Sequence, residues 1–203
     1  MFMDEITLIL EAKKGDLFAY NELVLAYQKP VFNLALRMLG DGYLAEDVTQ
    51  EVFITAFANL GQFKGGSIKN WLLRSCANRC IDEIRKQKRR PQVPLQPATN
   101  VDEPNEEPNW LRDESADPAT SFEQKEISEL IERCIRELRE DARLVILLVD
   151  VFEMDYEEAR QVISAPLGTL KSRLIRARES VRKCLITITE LYPGFERYKS
   201  EHV

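Results

Sequence analysis

The chain has 203 residues, 44% of them hydrophobic and 31% charged, with a formal net charge of −6. That length allows one or two domains, and the apolar share is ordinary for a globular protein. With only 8 glycines the chain is not collagen-like, and no apolar run approaches the ~20 residues that span a bilayer, so no membrane insertion is expected. The first residues, MFMDEITLILEAKKGD, start acidic and hold no apolar core behind a basic flank. They do not read as a signal peptide, and the cytoplasm is the expected location.

Asp16 is an N-cap candidate for DLFAYNELVLAYQ, in which Leu17, Tyr20, Leu23, Val24 and Tyr27 form an apolar stripe. Pro30 suits the first turn of a separate helix, VFNLALRML, and Gly40 its end. A third helix is expected from about Leu44 to Leu60, where Leu44, Val48, Val52, Ala56 and Leu60 recur at every fourth position. Gly65 and Gly66 permit a tight loop ahead of a fourth helix, from about Ile68 to Lys88. Pro91 stops that helix, because proline lacks the N–H and disfavours helix in the residue before it. Six of the nine prolines fall between 91 and 120, in a strongly acidic background that reads as a flexible linker. Beyond it, ISELIERCIREL is amphipathic, ARLVILLVDVF is almost wholly apolar and YEEARQVI is short. SAP then breaks the chain ahead of a long basic helix, LGTLKSRLIRARESVRKCL. No alternating strand pattern appears. The expected fold is all-α: two small helical domains, residues 1–90 and 122–187, joined by an acidic, Pro-rich linker at 91–121. A tail at 188–203 receives no role.

The charge is segregated. Residues 74–90 carry seven basic against two acidic side chains, and residues 166–183 six against one. Residues 91–126 carry nine acidic against two basic. Two basic stretches around an acidic spacer suggest two anion-binding surfaces, although a charged helix is usually only a solvated face. Cysteine and histidine exclude other chemistry. The one histidine is His202, and Cys76, Cys80, Cys134 and Cys184 show no C-x-x-C spacing. No metal site, no cofactor and no Ser-His-Asp or Cys-His mechanism is expected. The cysteines read as four small, partly buried thiols, with the Cys76/Cys80 pair in the core.

YEEARQVI, the SAP turn and the basic helix form a helix-turn-helix candidate. Leu170, Leu174, Ala177, Val181 and Leu185 share one face of the second helix. Thr169, Ser172, Arg173 and Arg176 lie on another, near the end that enters a major groove; Lys171, Arg178 and Arg182 form a third stripe suited to phosphates. The bland alternative is a solvated amphipathic helix. On the fourth helix, Trp71, Arg74, Asn78, Asp82, Arg85 and Arg89 fall within about 80° of one another. An aromatic, an amide and several arginines suit single-stranded nucleic acid, unless Trp71 is core and the arginines are merely solvated. Asp47, Gln50 and Glu51, continued by Ile54, make an acidic-polar stripe on the third helix that fits either solvent or a protein partner.

Together AEDVTQEVFITAF, FKGGSIKNWLLRSCANRCIDEIRKQKRR and APLGTLKSRLIRARESVRKCL resemble the signature segments of bacterial RNA polymerase sigma factors, in the compact two-domain form of the extracytoplasmic-function group. The resemblance runs from about Leu8 to Leu185. It implies a protein that breaks no covalent bond, with core RNA polymerase and promoter DNA, duplex and single-stranded, as partners and an anti-sigma protein as a further candidate. By that resemblance Asp47, Gln50, Glu51 and Phe53 dock on the clamp helices of the polymerase largest subunit. Phe63, Lys64, Ser67, Lys69, Trp71, Arg74, Asn78, Arg79 and Arg85 recognise and melt the minus-ten element. Pro166, Thr169, Lys171, Ser172, Arg173, Arg176 and Arg178 read the minus-thirty-five element. The linker threads towards the polymerase active-site and RNA-exit channels.

The chain departs from the family pattern at four places. Ala159-Arg160 replaces the usual Ile-Ala pair, so either the helix crossing is looser or Arg160 points outward while Ala159 packs in. Ser164 stands where a glycine often ends the helix, Leu138-Arg139 replaces Leu-Pro, and Ile68 replaces a common aromatic. A stand-alone helix-turn-helix regulator would leave the Asp47, Gln50, Glu51 face and the Trp71 stripe unexplained. A recombinase would need a nucleophile among arginines on a mixed fold, which the sequence lacks.

Overall fold

The computed structural model describes residues 4–89 and 121–191, and among them every regular element is a helix. The chain divides into two compact units, Met1–Asp113 and Glu114–Val203. Residues 90–120, which hold nearly all of the expected linker, and residues 192–203 of the tail lie outside the described residues.

The first unit opens with a helix the sequence reading does not pick out, α1 (Glu5–Lys13). Asp4 caps it by accepting from the Thr7 N–H at 3.0 Å, and Ile9 and Ala12 are buried. Gly15, with φ of 95°, turns the chain into α2 (Leu17–Leu39). Asp16 caps α2 as expected, accepting from the N–H groups of Phe18 and Ala19 at 2.8 and 3.3 Å, and Gly40 ends it in the left-handed region. Pro30 does not begin a second helix; α2 runs straight through it. An interior proline costs a helix roughly 3 kcal/mol. Here Leu23 on one side and Val31, Phe32, Leu34, Ala35 and Met38 on the other are buried in one core, and each large apolar side chain contributes about 1.5–3 kcal/mol. Burial outweighs the local penalty.

Asp41 caps α3 (Gly42–Asn59), which passes into a 3₁₀ turn at Leu60–Gln62. Gly65 and Gly66 both take positive φ, at 103° and 91°, before α4 (Ile68–Arg89). α3 and α4 each pack on α2 and on one another. Cys76 and Cys80 lie in this core as free thiols, with their sulfurs 3.9 Å apart. The neighbouring thiol and burial together push the Cys76 pKa well up.

The second unit holds α5 (Ser121–Arg136), α6 (Glu140–Ile146), α7 (Tyr156–Ile163) and α8 (Leu167–Leu191). The apolar run after α6 widens into a π turn over Leu147–Val151, where the Phe152 N–H donates to the Leu147 carbonyl at 2.8 Å. α8 is the centre: it packs on α5, α6 and α7, and Leu170, Leu174 and Ala177 are buried along it as the periodicity implies. It also runs past residue 187 into the segment the sequence reading leaves as tail.

The departures at α7 have a simple resolution. Asp155 and Glu158 form a capping box, Ala159 is fully buried, and Arg160 turns outward to pair with Glu157 through its Nε at 3.1 and 3.0 Å. The crossing therefore uses the alanine. Ser164 adopts the left-handed backbone at φ of 52° that a glycine would take without penalty. A further expectation is overturned: Cys134 and Cys184 are not free thiols but a disulfide joining α5 to α8 across a separation of 50 residues. Spacing along the chain gave no hint of it, because packing of the two helices is what brings the sulfurs together.

Ser164→Gly should raise the stability of the second unit by up to about 1 kcal/mol, the cost of a side chain in the left-handed region; an unchanged or lower denaturation midpoint would contradict the strain. Closing a loop of that length stabilises by roughly 4 kcal/mol in the chain-entropy model. Reduction should therefore lower the thermal midpoint of oxidised protein, and thiol titration should find two free groups before reduction and four after. Four at the outset would refute the bridge.

Candidate functional site

Three surfaces bear the residues singled out from the sequence. On α3, Asp47, Gln50 and Glu51 face solvent, and Ile54 beside them is 70% exposed. Phe53 is different: its side chain is buried, and its carbonyl accepts from the Tyr20 hydroxyl at 2.5 Å. Burial pushes the Tyr20 phenol up to about 12, so it donates throughout the physiological range. Phe53 thus anchors α3 from within and does not offer its ring to a partner.

The second surface is α4 and the loop before it. Leu72, Leu73, Cys76, Ala77 and Cys80 are buried, which turns Arg74, Asn78, Asp82, Arg85 and Arg89 to solvent. Trp71 is half-buried and leans on Phe63, with ring centroids 5.5 Å apart. Phe63 is only 6% exposed, so it is a foundation of the loop and not a free stacking platform. Lys64, Ser67 and Lys69 are exposed, and the Ser67 Oγ accepts from the Asn70 N–H at 3.2 Å at the head of α4. Arg79 forms an ion pair with Glu51, linking this surface to that of α3.

The third surface is the N-terminal half of α8. The Pro166 carbonyl accepts from the Leu170 N–H at 3.1 Å, so the proline stands just ahead of the helix. Thr169 is half-buried, and Ser172 and Arg176 are exposed, with the Arg176 Nε donating to the Ser172 carbonyl at 3.1 Å. The Lys171 ammonium lies 5.6 Å from the Tyr156 ring centroid. Arg173 is 3.7 Å from Asp141. Arg178 is clasped by both oxygens of Asp150, at 3.0 and 2.6 Å, and this hydrogen bonding holds its guanidinium above its ordinary pKa.

Several neighbours escape sequence reasoning. Asp141, Asp150 and Tyr156 sit on other elements, and nothing in their local sequence marks them as partners of α8. Asp150 reaches Arg178 from the π turn. Ile175, 67% exposed on α8, was legible: it falls off the Leu170, Leu174, Ala177 stripe and so could not be core. Among the described residues no group of three or more histidine, cysteine, aspartate or glutamate side chains is placed to hold a metal ion. Nor, among them, is any helix long and apolar enough to cross a membrane.

Residues 23–90 match the family model for Sigma-70 region 2, and residues 128–181 that for Sigma-70, region 4. The chain is similar to the RNA polymerase sigma-H factor of Pseudomonas aeruginosa, 33% identical over 179 residues, covering 88% of this chain and 92% of that protein. It is likewise similar to the ECF RNA polymerase sigma-E factor of Escherichia coli, 34% identical over 175 residues, with 86% and 90% covered. The ECF RNA polymerase sigma factor SigW of Bacillus subtilis is 33% identical over 178 residues, with 87% and 94% covered. Among solved structures, CnrH in complex with the cytosolic domain of CnrY shares the fold at a TM-score of 0.62 and 22% identity, covering 91% of this chain and 97% of that one. RpoE of Bartonella quintana, bound to the anti-sigma factor NepR, does so at 0.57 and 22%, covering 82% and 96%.

The Asp150 clasp on Arg178 has a testable consequence. Asp150→Asn should free Arg178 for a phosphate, tighten duplex DNA binding and steepen the log K against log salt slope by about 1. Equal slopes for variant and wild type would show that Arg178 does not reach the backbone.

Proposed function

The chain belongs to the extracytoplasmic-function group of sigma-70 RNA polymerase sigma factors, and from that membership we propose that it directs promoter-specific initiation by reading two DNA elements while held on core polymerase. The observation that carries the proposal is that each unit contains one basic helix, α4 or α8, whose apolar stripe is buried and whose cations face solvent. A sigma factor supplies recognition and melting and breaks no covalent bond itself.

In this reading Asp47, Gln50 and Glu51, with Ile54 as their apolar neighbour, dock on the clamp helices of the largest subunit. Lys64, Ser67 and Lys69 hold an extruded minus-ten base, while Trp71, Arg74, Asn78, Arg79 and Arg85 support the unpaired strand by stacking and charge. Extruding a base costs a few kcal/mol, which hydrogen bonds and stacking offset. Phe63 and Phe53 act from beneath, as supports. Thr169, Lys171, Ser172, Arg173 and Arg176 address the minus-thirty-five duplex through the major groove, and Arg178 addresses its phosphates. Pro166 sets the start of that helix. The two readouts on one polymerase-bound chain act as a bivalent ligand. Off the polymerase, three of the arginines are matched by Glu51, Asp141 and Asp150, which favours weak DNA binding by the free protein. The solved structure of RpoE bound to the anti-sigma factor NepR supports an anti-sigma protein as a further partner, and in this reading the chain works in the cytoplasm, with the polymerase.

Charge reversal at Asp47 and Glu51 tests the docking surface. Asp47→Arg with Glu51→Arg should weaken core polymerase binding by at least ~30-fold, about 2 kcal/mol. The double variant should bind free duplex DNA no more weakly than wild type. Undiminished polymerase binding would remove α3 as the dock; lost polymerase binding accompanied by a fall in the thermal midpoint would mean the first unit had unfolded.

A further inference from the structure

We propose that Lys13, at the end of α1, is a positioning residue for the loop that captures the minus-ten base. The inference rests on the minus-ten reading and adds to it a residue outside the segments that carry the family signature. Its ammonium does two things at once. It donates to the Phe63 carbonyl at 2.6 Å and lies 5.5 Å from the centroid of the Phe63 ring. One cation therefore fixes both the backbone and the side chain of the residue that leads into the loop.

The geometry of the loop makes that grip consequential. Phe63 follows the 3₁₀ turn, where its N–H donates to the Leu60 carbonyl at 3.1 Å, and its ring is packed against Trp71. Because the peptide unit is planar, holding the Phe63 carbonyl orients the peptide plane that leads into Lys64. At the far end the Ser67 Oγ accepts from the Asn70 N–H and the Ser67 carbonyl accepts from the Trp71 N–H at 3.1 Å. Between these fixed ends lie only Lys64, Gly65 and Gly66, and both glycines occupy positive φ. Two adjacent glycines give the loop wide conformational freedom. With so short a span, its conformers are set by its anchors, and Lys13 supplies the anchor at the entry. A loop restrained in this way loses less entropy when it closes on a base.

Lys13 is well placed for such a role and poorly placed for a merely structural one. α1 is seated by Ile9 and Ala12, which are buried, whereas Lys13 is an exposed residue. Removing its charge opens no cavity in the core. The ammonium also adds positive charge at Phe63, the entry to the loop.

The test uses the full chain assembled with core RNA polymerase. The probe is the single-stranded oligodeoxynucleotide that wild-type holoenzyme enriches from a library with a randomised centre. Lys13→Met keeps most of the stem and loses the cation; Lys13→Arg keeps a donor and a cation over the ring. Lys13→Met should bind the probe about tenfold more weakly, the usual scale for one hydrogen bond to a charged group. Lys13→Arg should recover most of the loss, while holoenzyme assembly and the thermal midpoint of both variants match wild type. Wild-type probe binding by Lys13→Met, or a loss matched by falls in the midpoint and in assembly, would overturn the inference. A Lys64→Ala, Lys69→Ala control separates it from the reading beneath it. If the control binds the probe normally, the minus-ten assignment itself fails. If the control weakens binding and Lys13→Met does not, Lys13 alone is refuted.

Discussion

Leu72, Leu73, Cys76, Ala77 and Cys80 bury one stripe of α4, and Leu170, Leu174 and Ala177 bury one stripe of α8. Each of these helices carries so many like charges that, in isolation, repulsion along its exposed side would oppose folding. Removing the apolar stripe from water, at about 25 cal/mol per Å², is what holds those cations in fixed rows. The direction of the functional side chains on these two helices follows from it. With Leu72 and Cys76 inward, Arg74 and Asn78 must face out; with Leu174 and Ala177 inward, Ser172 and Arg176 must.

The second organising feature is how the structure treats the cations once they are outside. Glu51 on α3 holds Arg79, Asp141 on α6 approaches Arg173, and Asp150 in the π turn clasps Arg178. Exposed pairs of this kind contribute only ~0–1 kcal/mol each, so a DNA phosphate or a polymerase side chain can exchange for the resident partner at small cost. On the proposed function, such pairing keeps the side chains in place and holds free-protein affinity for DNA down, leaving the polymerase to bring two modest readouts together.

Much of this was legible in the sequence, and the rest failed for identifiable reasons. The caps at Asp16 and Gly40, the helix at Ile68 and the stripe of Leu170, Leu174 and Ala177 depend on local spacing, and spacing sufficed. Pro30 misled because a local propensity was overridden by the core on both sides of it. α1 went unread because only Ile9 and Ala12 of its residues are buried, too sparse a stripe to stand out. The Cys134–Cys184 bridge, the Asp150 clasp and the grip of Lys13 on Phe63 join residues 50, 28 and 50 positions apart. No local pattern encodes them. Phe53 and Phe63 belong to functional segments by sequence yet lie in the core, where they support the residues that face outward.

The central claim is that this chain turns core polymerase into a promoter-selective enzyme. The most direct test is to capture bacterial core RNA polymerase with the chain and then map run-off transcripts from a genomic fragment library. The account predicts a stable holoenzyme and discrete start sites that share spaced sequence elements upstream. Failure to bind core polymerase, or binding that yields no start sites beyond those of core enzyme alone, would contradict it.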